Sequence, residues 1–149
     1  MVGSINSAID TNVLLDVLIP NSRFALASLE CLESAAKEGS LLVGEMVFAE
    51  LSAHFPTLAA LRGFLEAGTI AYVPSDHVAL HEAGMAWKTL CTRRDAQNAA
   101  IPRHVVADLL IGAHARRHAH RLITRDRGFY RDYFHGLTIL DPSVAQPPR

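Results

Sequence analysis

Cysteine is scarce in this chain: only Cys31 and Cys91 are present, and their spacing matches no zinc site. A disulfide-stapled secreted scaffold is thereby excluded, and the thiols read as free in a reducing cytoplasm. No apolar run approaches the ~18 residues of a membrane-spanning helix. The opening MVGSINSA has no basic segment followed by an apolar core, so no signal peptide is expected. There is no glycine-rich phosphate loop, and Ser52 and His54 stand in no nucleophile-elbow context. Internal repeats, low-complexity tracts and linkers are also missing. Positive charge is rare at first: residues 1–82 hold three basic and ten acidic residues, residues 83–149 eleven and five. The halves therefore carry about −7 and +6 while the whole chain carries −1. Ten of the later eleven are arginine, whose planar fork suits phosphate. The asymmetry leaves a nucleic acid or an acidic partner open, beside the plainer reading of solvated helix faces.

What remains is an ordinary globular composition, 50% hydrophobic and 19% charged over 149 residues. At that length the expectation is one domain, with a core over about residues 5–141 and a frayed tail at 142–149. Elements alternate. Strands are expected at 7–10, 41–44, 69–74, 121–126 and 137–140. Helices are expected at 12–18 (stopped by Pro20), 22–38, 45–55, 57–67, from a Ser75 cap to about 94, and 104–119. A turn or short helix covers 127–134. Such alternation with short connections predicts a parallel sheet flanked by helices. Sites in such sheets form beyond the carboxyl ends of the strands.

Four carboxylates fall in suggestive places. Asp10 follows the first strand, and Asp126 follows the strand in LITRD. On a helical wheel Asp108 lies beside Val105, Ile111, Gly112 and Ala115, away from a wet arc marked by Arg103 and His114. Glu50 lies at the apolar edge of its helix. Singly each has a plain alternative: Asp10 a helix cap, Asp126 a turn residue or arginine partner, Glu50 a solvated glutamate. Together at one sheet edge they would repel one another, and a hard cation such as Mg²⁺ or Mn²⁺ resolves that repulsion. Asp16, without such companions, reads as a helix residue. His77/His81 and His114/His118, each four apart, read as surface histidines. Phe64, Phe129, Tyr130 and Phe134 read as core rather than base-stacking platforms.

The stretches AIDTNVLLDVL (8–18), VFAEL (47–51), VVADLLIGAHA (105–115) and LITRDRGFY (122–130) together resemble the PIN domain, most of all the VapC-type toxins of bacterial toxin–antitoxin pairs. The resemblance spans about residues 5–141; the polar start before Asp10 departs mildly from the usual apolar first strand. It implies a three-layer α/β/α fold around a central parallel sheet, and a divalent-metal-dependent endoribonuclease. Asp10, Glu50, Asp108 and Asp126 would form the acidic pocket, with Asp10 and Asp108 as the leading Mg²⁺ or Mn²⁺ ligands. Glu50 would join directly or through water, and Asp126 would hold a second metal or its waters. Thr11, Asn12 and Thr124 would orient carboxylates or waters. Arg125, Arg127 and Arg131 are candidates to hold the RNA backbone, with ion pairs to Asp132, Asp141 or helix carboxyl ends as the alternative. The implied partners are a VapB-type antitoxin, an RNA substrate and a second copy in a homodimer. Two other classes stay open: a non-catalytic PIN-like RNA-binding or scaffold module, and another Mg²⁺ phosphoesterase. A phosphatase of the haloacid dehalogenase type wants an aspartate two residues after the first, where Asn12 stands.

Overall fold

A computed structural model describes residues 3–19, 22–102 and 104–144. The helix stop at Pro20, the wheel position of Arg103 and the end of the tail lie outside the described residues. In chain order the elements are β1 (Ser7–Ile9), α1 (Thr11–Leu18), α2 (Ala25–Glu38), β2 (Leu41–Val43), α3 (Glu45–Ser52), α4 (Leu58–Ala67), β3 (Ile70–Tyr72), α5 (His77–Ala96), α6 (Val105–His118), β4 (Arg121–Ile123), α7 (Arg127–Tyr133) and β5 (Thr138–Leu140).

The strands form one parallel sheet in the order β3-β2-β1-β4-β5. β1 and β2 are buried at every position, as strands covered by helices on both faces must be. Ser7, Ala8 and Ile9 pair with Arg121, Leu122 and Ile123. The core gathers Ile9, Val13, Leu14, Val43, Leu51, Leu109, Leu122 and Ile123 around this centre. The result is the three-layer α/β/α arrangement that the sequence led one to expect.

Local signals explain where helices begin. Asp10 caps α1, and the Thr57 hydroxyl caps α4 by accepting from Ala60 N–H at 3.1 Å. The long α5 is capped by Asp76, which accepts from Ala79 N–H at 2.9 Å, one residue beyond the expected Ser75. The early strands step outward from β1 to β3; the chain then crosses back and sets β4 on the other side of β1. This reversal opens a crevice at the carboxyl ends of β1 and β4, the place where open α/β sheets bind ligands.

Candidate active site

Asp10 is the first residue past β1 and remains tied to the sheet, its N–H donating to the Ile123 carbonyl at 2.9 Å. Its Oδ1 accepts from Thr11 N–H at 2.7 Å, so the carboxylate does cap α1. Its Oδ2 accepts from the Thr124 hydroxyl at 2.8 Å, the Tyr130 phenol at 2.9 Å and, more loosely, the Asn12 amide at 3.5 Å. Asp10 is buried, and burial raises its pKa above the usual carboxylate range. Hydrogen bonds from Thr124, Tyr130 and Thr11 pull the other way, and the Glu50 charge adds to the rise.

Thr124, fully buried just past β4, is the hub between the two central strands. While donating to Asp10 it accepts from Asp126 N–H at 3.0 Å and from Asn12 at 3.4 Å. Asp126 itself is exposed at the start of α7. Glu50 reaches in from an exposed position on α3, where its Oε1 accepts from the Thr11 hydroxyl at 3.0 Å. Asp108 sits in the first turns of α6 with 20% of its side chain exposed. Burial first, then the Asp10 charge, pushes its pKa up to about 6; His104, 3.9 Å away, offsets part of this, and Asp126 and Glu50 add to it. Each of the other three acids therefore acts electrostatically on Asp108.

Among the described residues, no three His, Cys, Asp or Glu side chains close into a ready-made metal cage. Mg²⁺ does not require one, since it typically takes one or two carboxylates and keeps its waters. The donors are all hard oxygens, and the repulsion registered at Asp108 is what a cation would relieve. The residues fit a hydrated divalent ion better than a fully protein-bound one.

Two residues important to this geometry escaped the sequence reading. Tyr130 is core, as expected, but its phenol also donates to Asp10. Burial and the Asp10 charge hold that phenol protonated, so it acts as a donor. A buried tyrosine hydroxyl must find a partner, and that rule was the available signal. Asp16 is not a plain helix residue: it is 5% exposed and bound by Arg125 at 2.8 and 3.0 Å. A lone acid among the apolar residues of α1 implied a cation nearby.

The other arginines are also engaged, Arg127 with Asp141 at 3.2 Å and Arg131 with Asp132 at 3.5 Å. His114, expected on a wet arc, is buried instead. Its ring lies against Gly44 and the Val73 carbonyl, just past β2 and β3, so that part of the arc is covered. His77 and His81 are exposed, as expected.

The family model for the PIN domain matches residues 8–134. No curated protein sequence matches the chain. Among solved structures, VapBC2 from Rickettsia felis, bound to a DNA fragment from its promoter, is similar with a TM-score of 0.63 at 19% identity, covering 92% of this chain and 98% of that one. VapBC-1 from nontypeable Haemophilus influenzae is similar with a TM-score of 0.66 at 15% identity, covering 94% and 100%. FitAcB from Neisseria gonorrhoeae is similar with a TM-score of 0.57 at 22% identity, covering 91% and 97%.

Proposed function

Because the chain belongs to the PIN domain family, we propose that it is the toxin of a bacterial toxin–antitoxin pair and acts as a Mg²⁺- or Mn²⁺-dependent endoribonuclease. PIN domains are generally nucleases, and PIN nucleases generally use divalent metal ions. The observation that carries the reading is the gathering of Asp10, Glu50, Asp108 and Asp126 at the crevice between β1 and β4, with their charges acting on Asp108.

Asp10 and Asp108 would hold the ion, with Glu50 completing the set directly or through water and Asp126 serving a second ion or its waters. When bound, the ion supplies an activated water and neutralises charge on the phosphate. The chain's own groups do the positioning. Thr124, Tyr130 and Thr11 N–H fix both oxygens of Asp10, so it presents one orientation to the crevice. The Thr11 hydroxyl fixes Glu50. In-line attack by water on the phosphodiester, with the 3′-oxygen as leaving group, would leave a 5′-phosphate and a 3′-hydroxyl. Arg127 and Arg131, both largely exposed, would meet the RNA backbone at some cost to their ion pairs.

An antitoxin partner completes the reading, supported by the VapBC and FitAB complexes among the similar folds; a homodimer follows from the family resemblance alone. The test is cleavage of RNA by the purified chain with EDTA, then with Mg²⁺ or Mn²⁺ restored, and with p-nitrophenyl phosphate as the competing substrate. Cleavage should require metal, give 5′-phosphate ends and leave p-nitrophenyl phosphate intact. Asp10→Asn and Asp108→Asn should each lower the rate by more than about 100-fold, since even outer partners of metal ligands are worth 10–100-fold. Activity that survives chelation, or in both variants, would refute the proposal.

A further inference from the structure

We infer that the Asp16–Arg125 ion pair is a strut that positions Thr124 and Asp126 against Asp10, making Arg125 a positioning residue and not an RNA contact. This rests on the ribonuclease reading above. The strut begins on α1, the helix that Asp10 caps. Asp16 Oδ2 accepts from the Ser28 hydroxyl at 2.7 Å and from Arg125 Nε at 2.8 Å. Its Oδ1 accepts from the second Arg125 nitrogen at 3.0 Å and from the Ser22 hydroxyl at 3.3 Å. The guanidinium lies 4.3 Å from the centre of the Phe24 ring. Both carboxylate oxygens, one edge of the guanidinium and one of its faces are thus committed within the protein.

A paired, planar fork fixes direction as well as distance, which a lysine cannot do. What it fixes is the turn between β4 and α7, only Thr124, Arg125 and Asp126 long. The Arg125 N–H also donates to Asn12 Oδ1 at 3.4 Å, and Asp126 N–H closes back on Thr124 at 3.0 Å. The residue before Arg125 binds Asp10 and the residue after it is one of the four acids. Moving the guanidinium therefore moves both. Buried ion pairs are weak evidence for stability, because well-packed apolar residues often serve as well or better. Geometry is the better reason for this pair: α1 carries Asp10 at its start and Asp16 further along, so one rigid helix sets both ends of the crevice.

The two roles for Arg125 predict opposite outcomes for Asp16→Asn. Were Arg125 an RNA contact, removing the Asp16 charge would release it, tighten RNA binding and leave kcat and Mn²⁺ affinity unchanged. As a strut, the pair is lost, and three readings should move together. The rate constant kcat for RNA cleavage should fall about 10–100-fold with KM nearly unchanged, the cost typical of outer partners of metal ligands. Mn²⁺ affinity, measured by calorimetry without RNA, should weaken by about tenfold or more. Amide hydrogen exchange over residues 124–126 should quicken in the metal-free protein.

Arg125→Gln alone strands a buried carboxylate and risks unfolding, so Asp16→Asn/Arg125→Gln, which removes both charges, is the companion variant and should behave as Asp16→Asn does. Arg125→Lys should recover part of the stability and little of the Mn²⁺ affinity. An active wild type with wild-type kcat and Mn²⁺ affinity in folded Asp16→Asn overturns the strut alone. A wild type that neither binds Mn²⁺ nor cuts RNA overturns the ribonuclease reading, and the strut's role with it.

Discussion

At the scale of one residue, Asp108 sets the demands of the site against those of folding. Its carboxyl titrates near 3.8 when unperturbed and about 6 in the folded chain. The folded state therefore favours the protonated form. Its contribution to stability is full below about pH 3.8 and is lost as pH rises through about 6. At pH 7.5, without metal, the ionised group should cost on the order of 1–3 kcal/mol, given about 1.4 kcal/mol per pKa unit and some solvent screening. Asp108→Asn should therefore stabilise the metal-free protein at pH 7.5 and do much less at pH 4. Urea unfolding in EDTA at the two pH values checks this; an equal effect at both would contradict it. Added Mg²⁺ should raise the stability of the wild type and not of the variant, because only the wild type gains a relieved charge. The wheel put Asp108 among small and apolar neighbours from sequence alone. The size of the perturbation was not legible, since it depends on Asp10, Asp126 and Glu50 arriving from three other elements.

At the scale of elements, the contact of α6 with the residues just past β2 and β3 turns on Gly44. A Cβ there would lie 2.7–2.9 Å from three atoms of the His114 ring. That ring cannot swing away freely: its Nε2 is 2.6 Å from the Val73 carbonyl, and His118 stacks 5.1 Å off. Burial lowers the His114 pKa, so the ring is neutral at physiological pH. A carbonyl only accepts, so Nε2 carries the proton and donates. Gly44→Ala should cost about 1–3 kcal/mol by overpacking, a drop of roughly 3–10 °C in Tm for a chain of this size. In Gly44→Ala/His114→Ala the overpacking penalty should vanish, so the two costs will not add. Thermal melts of both single variants and the double variant measure this. Most helices lie within a residue or two of their expected spans because capping and breaking signals are local. The burial of His114 was misread because Gly44 and Val73, which cover it from just past β2 and β3, are tertiary neighbours that no wheel of α6 can include.

At the scale of the molecule, the near-zero net charge conceals a basic second half that would meet RNA. If Arg131 touches the phosphate backbone, Arg131→Gln should weaken binding across RNA sequences. It should also flatten the plot of log affinity against log salt by about 0.7, the counterion share of one single-strand phosphate. Anisotropy of a labelled RNA, with Asp108→Asn as a background that does not cleave, gives the slope over a range of KCl. An unchanged slope would remove Arg131 from the interface. Its side chain is 79% exposed, so its pair with Asp132 is a weak competitor.

Periodicity, caps and strand-to-helix alternation are properties of neighbouring residues, so the order of elements, the parallel sheet and the places of Asp10 and Asp126 at strand ends were open to reading along the chain. The capping role of Asp10 was legible there too, since the residue after a strand and before a helix is a natural cap. Contacts more than a hundred residues apart belong to the fold. Thr124 and Tyr130 meet Asp10, and Arg125 meets Asp16, only because the strand order reverses after β3 and lays β4 parallel beside β1. That reversal decides which acids share a crevice and which arginine is committed elsewhere, because charge and hydrogen bonding depend on distance in space and not on separation along the chain.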